Sequence, residues 1–184
     1  MSISRTEAAE ALSEIERTAG RSQELRGYRI GGPILMLWGV IWIVGYVAMG
    51  LLPPQQWGWV WLPLDLIGLA GTIVMSARAR GGAKSADGWR NLAGFLAIGA
   101  FAGAVLAIFQ SPSPGPYLAF PGLLVGLIYG VIGIWRMTRY AWIGAAVFVA
   151  TLVGFFCFPM WLAFWMAATG GGALILGGLW LRSA

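Results

Sequence analysis

Six apolar runs follow one another from Ile30 to Leu181, and every lysine and arginine of the chain lies before the first run, after the last, or in alternate gaps between them. Each run is close to the roughly 20 residues a helix needs to cross about 30 Å of hydrocarbon. Lipid offers no partner to an unpaired backbone N–H or C=O, so segments of this kind cross as helices. The sequence therefore predicts an all-α polytopic membrane protein. Its six transmembrane helices form three hairpins over residues 30–182, preceded by a cytoplasmic amphipathic helix within residues 1–29. The expected spans are 30–52, 58–77, 91–110, 117–135, 140–158 and 160–181. Their ends are set by Pro53-Pro54, the polar stretch Arg78 to Arg90, the run Ser111-Pro112-Ser113-Pro114-Gly115-Pro116, and Pro159.

Orientation follows from the basic residues. Arg5, Arg17, Arg21, Arg26 and Arg29 precede the first span; Arg78, Arg80, Lys84 and Arg90 lie between the second and third; Arg136 and Arg139 join the fourth to the fifth; Arg182 ends the sixth. The three opposite connections carry none. The positive-inside rule puts the basic side, with both termini, in the cytoplasm. The other side is aromatic, with Trp57, Trp59 and Trp61 before the second span. Phe155, Phe156, Phe158, Trp161, Phe164 and Trp165 surround the last turn, as expected of a belt at headgroup level.

Charge content agrees. Only 10% of the 184 residues are charged, against roughly 25% in soluble domains, and the mean hydropathy is +0.76. The net charge of +5 tracks topology and forms no aromatic-interleaved patch, so nucleic acid is not an expected partner. The chain has no histidine and one cysteine, Cys157. That inventory leaves no intrachain disulfide, no His/Cys zinc site, no histidine-ligated haem and no Ser-His or Cys-His nucleophile pair. No catalytic residue, metal site or cofactor is expected, and an enzyme is disfavoured. Cys157, among phenylalanines, reads as a small buried hydrophobe.

Residues 1–29 carry no apolar core of the kind a cleaved signal peptide needs. Ser4 to Arg26 reads as a helix, with Ser4 and Glu7 as a capping box and Ala8, Leu12, Ile15 and Ala19 as a thin apolar stripe. This segment is a docking helix for a protein partner, a helix lying on the membrane surface, or a solvated helix packed on the loops of its own chain.

Asp65 is the one acidic residue inside an expected span. With the second span centred near Gly68 it sits about 4.5 Å from the midplane, where an ionised carboxylate costs about 2.5–3.5 kcal/mol on insertion scales. No lysine or arginine lies in a span to neutralise it. A protonated Asp65 tied to Tyr46, Thr151 or Thr169 is expected, either as a polar tie between helices or as a cation- or proton-responsive group in a pathway. A second catalytic aspartate, which an intramembrane aspartyl protease requires, is absent from the spans. Gly122, Gly126 and Gly130, and Gly99 and Gly103, recur at four-residue spacing and predict helix–helix contact faces, within the chain or in a homo-oligomer. Gly170-Gly171-Gly172 weakens the sixth span and predicts a kink there or close packing against a bulky neighbour.

The polar helical leader, the first span opening on Gly31-Gly32-Pro33 and bearing Trp38 and Trp42, and the basic link Trp135-Arg136-Met137-Thr138-Arg139-Tyr140 resemble small bacterial six-helix inner-membrane proteins. That resemblance implies a fold and a location in the bacterial plasma membrane and lends no activity. Eleven arginines against one lysine, with abundant glycine and alanine, also suggest a GC-rich bacterial gene. The functional expectation is a non-enzymatic accessory, sensor or assembly protein in contact with membrane lipid and a protein partner. The alternative is a small transporter or channel subunit using Asp65.

Overall fold

The computed structural model describes residues 5–79, 88–135 and 137–183, and all regular structure among them is helical. The order is α1 (Arg5–Leu51), a 3-10 turn Pro54–Gln56, α2 (Trp57–Ala79), α3 (Gly88–Ile108), α4 (Gly115–Trp135) and α5 (Thr138–Cys157). A second 3-10 turn, Pro159–Trp161, then leads into α6 (Leu162–Trp165), a π-helical segment Met166–Gly171 and α7 (Gly172–Arg182). Among the described residues five helices are long and apolar enough to cross a membrane: Leu12–Leu51, Pro54–Ala79, Gly115–Trp135, Thr138–Cys157 and Pro159–Arg182. The apolar stretch of α3, Leu92–Ile108, is shorter.

The polar leader and the first apolar run are not separate helices. They form one helix of 47 residues, about 70 Å long at 1.5 Å per residue. Pro33 lies inside it and removes the hydrogen bond that would reach back to the carbonyl of Arg29. The flanking glycines do not break the helix because packing holds them: a Cβ on Gly32 would lie 2.7 Å from the Gly178 carbonyl oxygen. The capping box at Ser4 lies outside the described residues.

Two glycine-lined seams organise the bundle. Between α1 and the last span, Gly32 faces Gly178 and Gly39 faces Gly171, seven residues apart on each helix and in antiparallel order. A Cβ on any of the four would lie within 2.9 Å of the opposite carbonyl oxygen. Between α4 and α5, Gly126 and Gly144 meet in the same way, Gly133 rests on the backbone of Ala141, and Gly122 rests on Thr151. Without Cβ atoms the backbones approach closely enough for dispersion and Cα–H···O contacts, the terms that replace the hydrophobic drive inside lipid. The space between the seams is filled by Tyr46, Val147, Thr151, Leu162, Met166, Leu174 and Leu181, all fully buried.

The closest pairings are thus α1 with the last span and α4 with α5, rather than each span with its hairpin neighbour. α2 packs on α1, where Gly68 seats against Trp38 and Ile41, and the Trp38 indole N–H donates to Thr72 Oγ1 at 3.1 Å. α3 lies outermost. Its residues 92–101 are all exposed, and its ring contact with the bundle is Phe95 on Trp38 at 6.1 Å.

Candidate functional site

The bundle has two chemically distinct ends. At one, Tyr28 of α1 stacks on Tyr140 of α5 at 6.2 Å, and Tyr140 meets Tyr129 of α4 edge-on at 5.5 Å. The Arg139 guanidinium donates to the Trp180 carbonyl at 2.5 Å and lies over both the Trp180 and Tyr28 rings. The Arg139 backbone N–H donates to the Tyr28 hydroxyl, which in turn donates to Glu24 at 2.6 Å. Tyr28 precedes the expected first span; burial first, then its bond to Glu24, pushes its hydroxyl above the ordinary phenol range. Arg26, Arg29, Arg78 and Arg182 gather at this same end around one cavity.

The opposite end holds the proline-rich turns with Trp57, Trp59, Trp61, Trp161 and Trp165. Trp59 and Trp161 are exposed, as an interfacial belt requires, but Trp61 and Trp165 turn inward. Trp61 covers Gly45 and donates to the Met49 sulfur at 3.0 Å. Trp165 donates to the Ala150 carbonyl at 2.8 Å, tying the end of α6, where the π-helical segment begins, to α5. Cys157 is exposed rather than buried, because it ends α5 where the chain turns.

Asp65 is exposed and borders an open cavity of about 390 Å³ lined by α1, α2, α3 and α4, together with Trp42, Trp61, Ala102, Tyr117 and Phe120. Its carboxyl group has no hydrogen-bond partner among the described residues. None of its three expected partners reaches it. Tyr46 sits behind Trp42 and Trp61, edge-on to both, and donates to the Leu118 carbonyl at 2.9 Å. Thr151 donates to Val147 at 2.7 Å and Thr169 to Trp165 at 2.8 Å. A threonine hydroxyl in a dry helix has the carbonyl one turn back within reach, and here both threonines take that bond in place of a carboxyl on another helix.

The glycines divide. Gly122 and Gly126 lie in the α4–α5 seam, and Gly130 contributes its backbone N–H as the floor under Gly144. Gly99 and Gly103, by contrast, have nothing within 4 Å of a Cβ position, so neither backbone is approached closely by a neighbour among the described residues. Gly170 and Gly171 pack on Trp42 and Ile43 at the end of the π-helical segment, while Gly172 faces open space. Gly32, Gly39 and Gly178, missed as contact residues, carried a legible signal: the seven-residue spacings 32–39 and 171–178.

Among the described residues no three His, Cys, Asp or Glu side chains gather as metal ligands would. Fold and site together define a helical bundle of membrane-spanning proportions, with one arginine-lined end and one unpaired carboxyl group in an apolar cavity. Comparison of the chain with protein-family models, curated proteins and solved structures finds no match.

Proposed function

We propose that this chain is a bacterial inner-membrane protein of six spans with both termini in the cytoplasm. It acts without catalysis, as an accessory or assembly subunit whose partner is another membrane protein. One observation carries the reading: α3 is an apolar helix left outside the bundle, with Gly94, Gly99 and Gly103 uncovered. Uncovered glycine offers lipid little dispersion surface and offers an incoming helix a close backbone approach. The long α1, which continues about 40 Å before the apolar run at 1.5 Å per residue, supplies a cytoplasmic contact through residues 1–29. The resemblance to small six-helix inner-membrane proteins is compatible with this reading.

Native mass spectrometry of the full chain, gently extracted from its own membrane, tests it. The reading expects a second protein that is lost from the Gly99→Leu/Gly103→Leu variant while the chain itself stays folded. A homo-oligomer unaffected by that variant would remove the basis for an accessory role.

A second reading, a small transporter or channel subunit, rests on Asp65 alone. An unpaired carboxyl group in an apolar cavity suits a group that binds a cation or proton in transit. Loss of all activity in Asp65→Asn with folding intact favours this reading, and full tolerance of that change favours the accessory one.

A further inference from the structure

The arginine-lined end holds a second cavity, of about 880 Å³, into which three helices deliver cations: Arg26 and Arg29 from α1, Arg78 from the last turn of α2, and Arg182 from the end of α7. Among the described residues no carboxylate lines it, and none of these four guanidiniums makes an ion pair or a hydrogen bond. Arg139, at the same end, shows what an arginine with a structural task looks like here, capped by a carbonyl and two rings. Orientation in the membrane requires basic residues beside the spans, but it does not require four of them from three separate helices to border one hollow.

Left alone, like charges around one cavity repel, and an anion between them offsets that repulsion. The apolar part of the wall fixes the kind of anion. Ile30, Pro33 and Leu181 continue from the arginines towards the spans, so the cavity is cationic at its rim and greasy along its inner side. We propose that this cavity binds a phosphate group. Its occupant is the headgroup of an anionic phospholipid from the leaflet at the arginine-rich end, with the acyl chains running along Ile30 and Leu181. Guanidinium suits the role, since its planar fork takes phosphate oxygens in pairs. Lipid at this position ties α1, α2 and α7 together at the end where the glycine seam between α1 and α7 closes.

The test uses the full-length protein in neutral detergent, with native mass spectrometry reading adducts of added phosphatidylglycerol, phosphatidylcholine or inorganic phosphate. The wild type is expected to retain phosphatidylglycerol about tenfold better than phosphatidylcholine. Each arginine near such a surface contributes about 1 kcal/mol, so Arg29→Gln/Arg78→Gln is expected to reduce the adduct roughly 10- to 30-fold. Neighbouring basic residues remain on both flanks in that variant, which preserves topology, and Arg17→Gln/Arg21→Gln, away from the cavity, should bind as the wild type does. Inorganic phosphate bound with the same arginine dependence, in place of the phospholipid, assigns the same site to a free phosphate. Equal retention of the two phospholipids, or a double variant that keeps the adduct with no phosphate bound, overturns the proposal. Should the double variant fail to fold, the wild type still decides: added salt must weaken the phosphatidylglycerol adduct and spare the phosphatidylcholine one, and salt-insensitive binding refutes a cationic site.

Discussion

Alanine at position 178 should destabilise the bundle, whereas alanine at position 172 should not. A Cβ on Gly178 would stand 2.5 Å from the Gly32 carbonyl oxygen and 3.1 Å from the Met36 nitrogen. Both are backbone atoms, so no side chain can swing aside, and α1 and α7 must separate by roughly 0.5–1 Å. A gap of that size forfeits a quarter to a half of each dispersion well along the seam. Overpacking of this kind costs about 1–3 kcal/mol, from which the helix propensity gained on replacing glycine, about 0.5–1 kcal/mol, is subtracted. The net expectation is a loss of about 1–2 kcal/mol. Position 172 faces open space, so only the propensity gain remains, and Gly172→Ala should be neutral or stabilised by up to about 1 kcal/mol. Denaturation of the purified protein by sodium dodecyl sulfate in mixed micelles, followed by tryptophan fluorescence, measures both. Equal stabilities for the two variants would refute the claim that the first and last spans meet through the backbones of Gly32 and Gly178.

Other substitutions probe the remaining contacts. Trp165→Phe keeps the ring but removes the donor to Ala150, and should cost about 0.5–1.5 kcal/mol in the same assay; no change would mean that the π-helical segment is not held by that bond. Tyr46→Phe leaves the Leu118 carbonyl without its fully buried partner and should cost about 1 kcal/mol. Asp65→Asn, at an exposed position without a hydrogen-bond partner, should shift stability by no more than about 0.5 kcal/mol. A loss several times larger would show that Asp65 is a structural tie.

How much of this was legible in the sequence depends on the range of the cause. Helix ends were set locally: Pro53-Pro54, the Ser-Pro run before Gly115 and Pro159 mark ends of apolar runs, and the observed boundaries follow them within a few residues. The continuity of α1 was not legible. The change from polar to apolar at Ile30 separates leader from span in the sequence, whereas the helix runs on through Gly31-Gly32-Pro33, packed against Gly178 nearly 150 residues away. The glycines of α4 found their partner in α5, but identical spacing in α3 found none, since a small-residue pattern states that close approach is allowed and not that a neighbour exists. The polar partners expected for Asp65 were missed for a chemical reason. Thr151 and Thr169 each bond a carbonyl four residues back and Tyr46 donates to the Leu118 carbonyl, and counting depth along spans cannot weigh such bonds against one to a distant carboxyl group.

The six spans proposed here run between a cytoplasmic, arginine-lined end and an outer, aromatic one, and cysteine accessibility probes that arrangement without further assumptions. In a Cys157→Ser background, single cysteines replace Gln55, Ser85, Ser113 and Ser183, one at a time, and intact cells are treated with a membrane-impermeant maleimide. Positions 55 and 113 should be labelled in intact cells, and 85 and 183 only after the membrane is opened. Labelling of 85 and 113 from the same side would contradict it, because α3 would then not cross the bilayer and the six-span arrangement would fall.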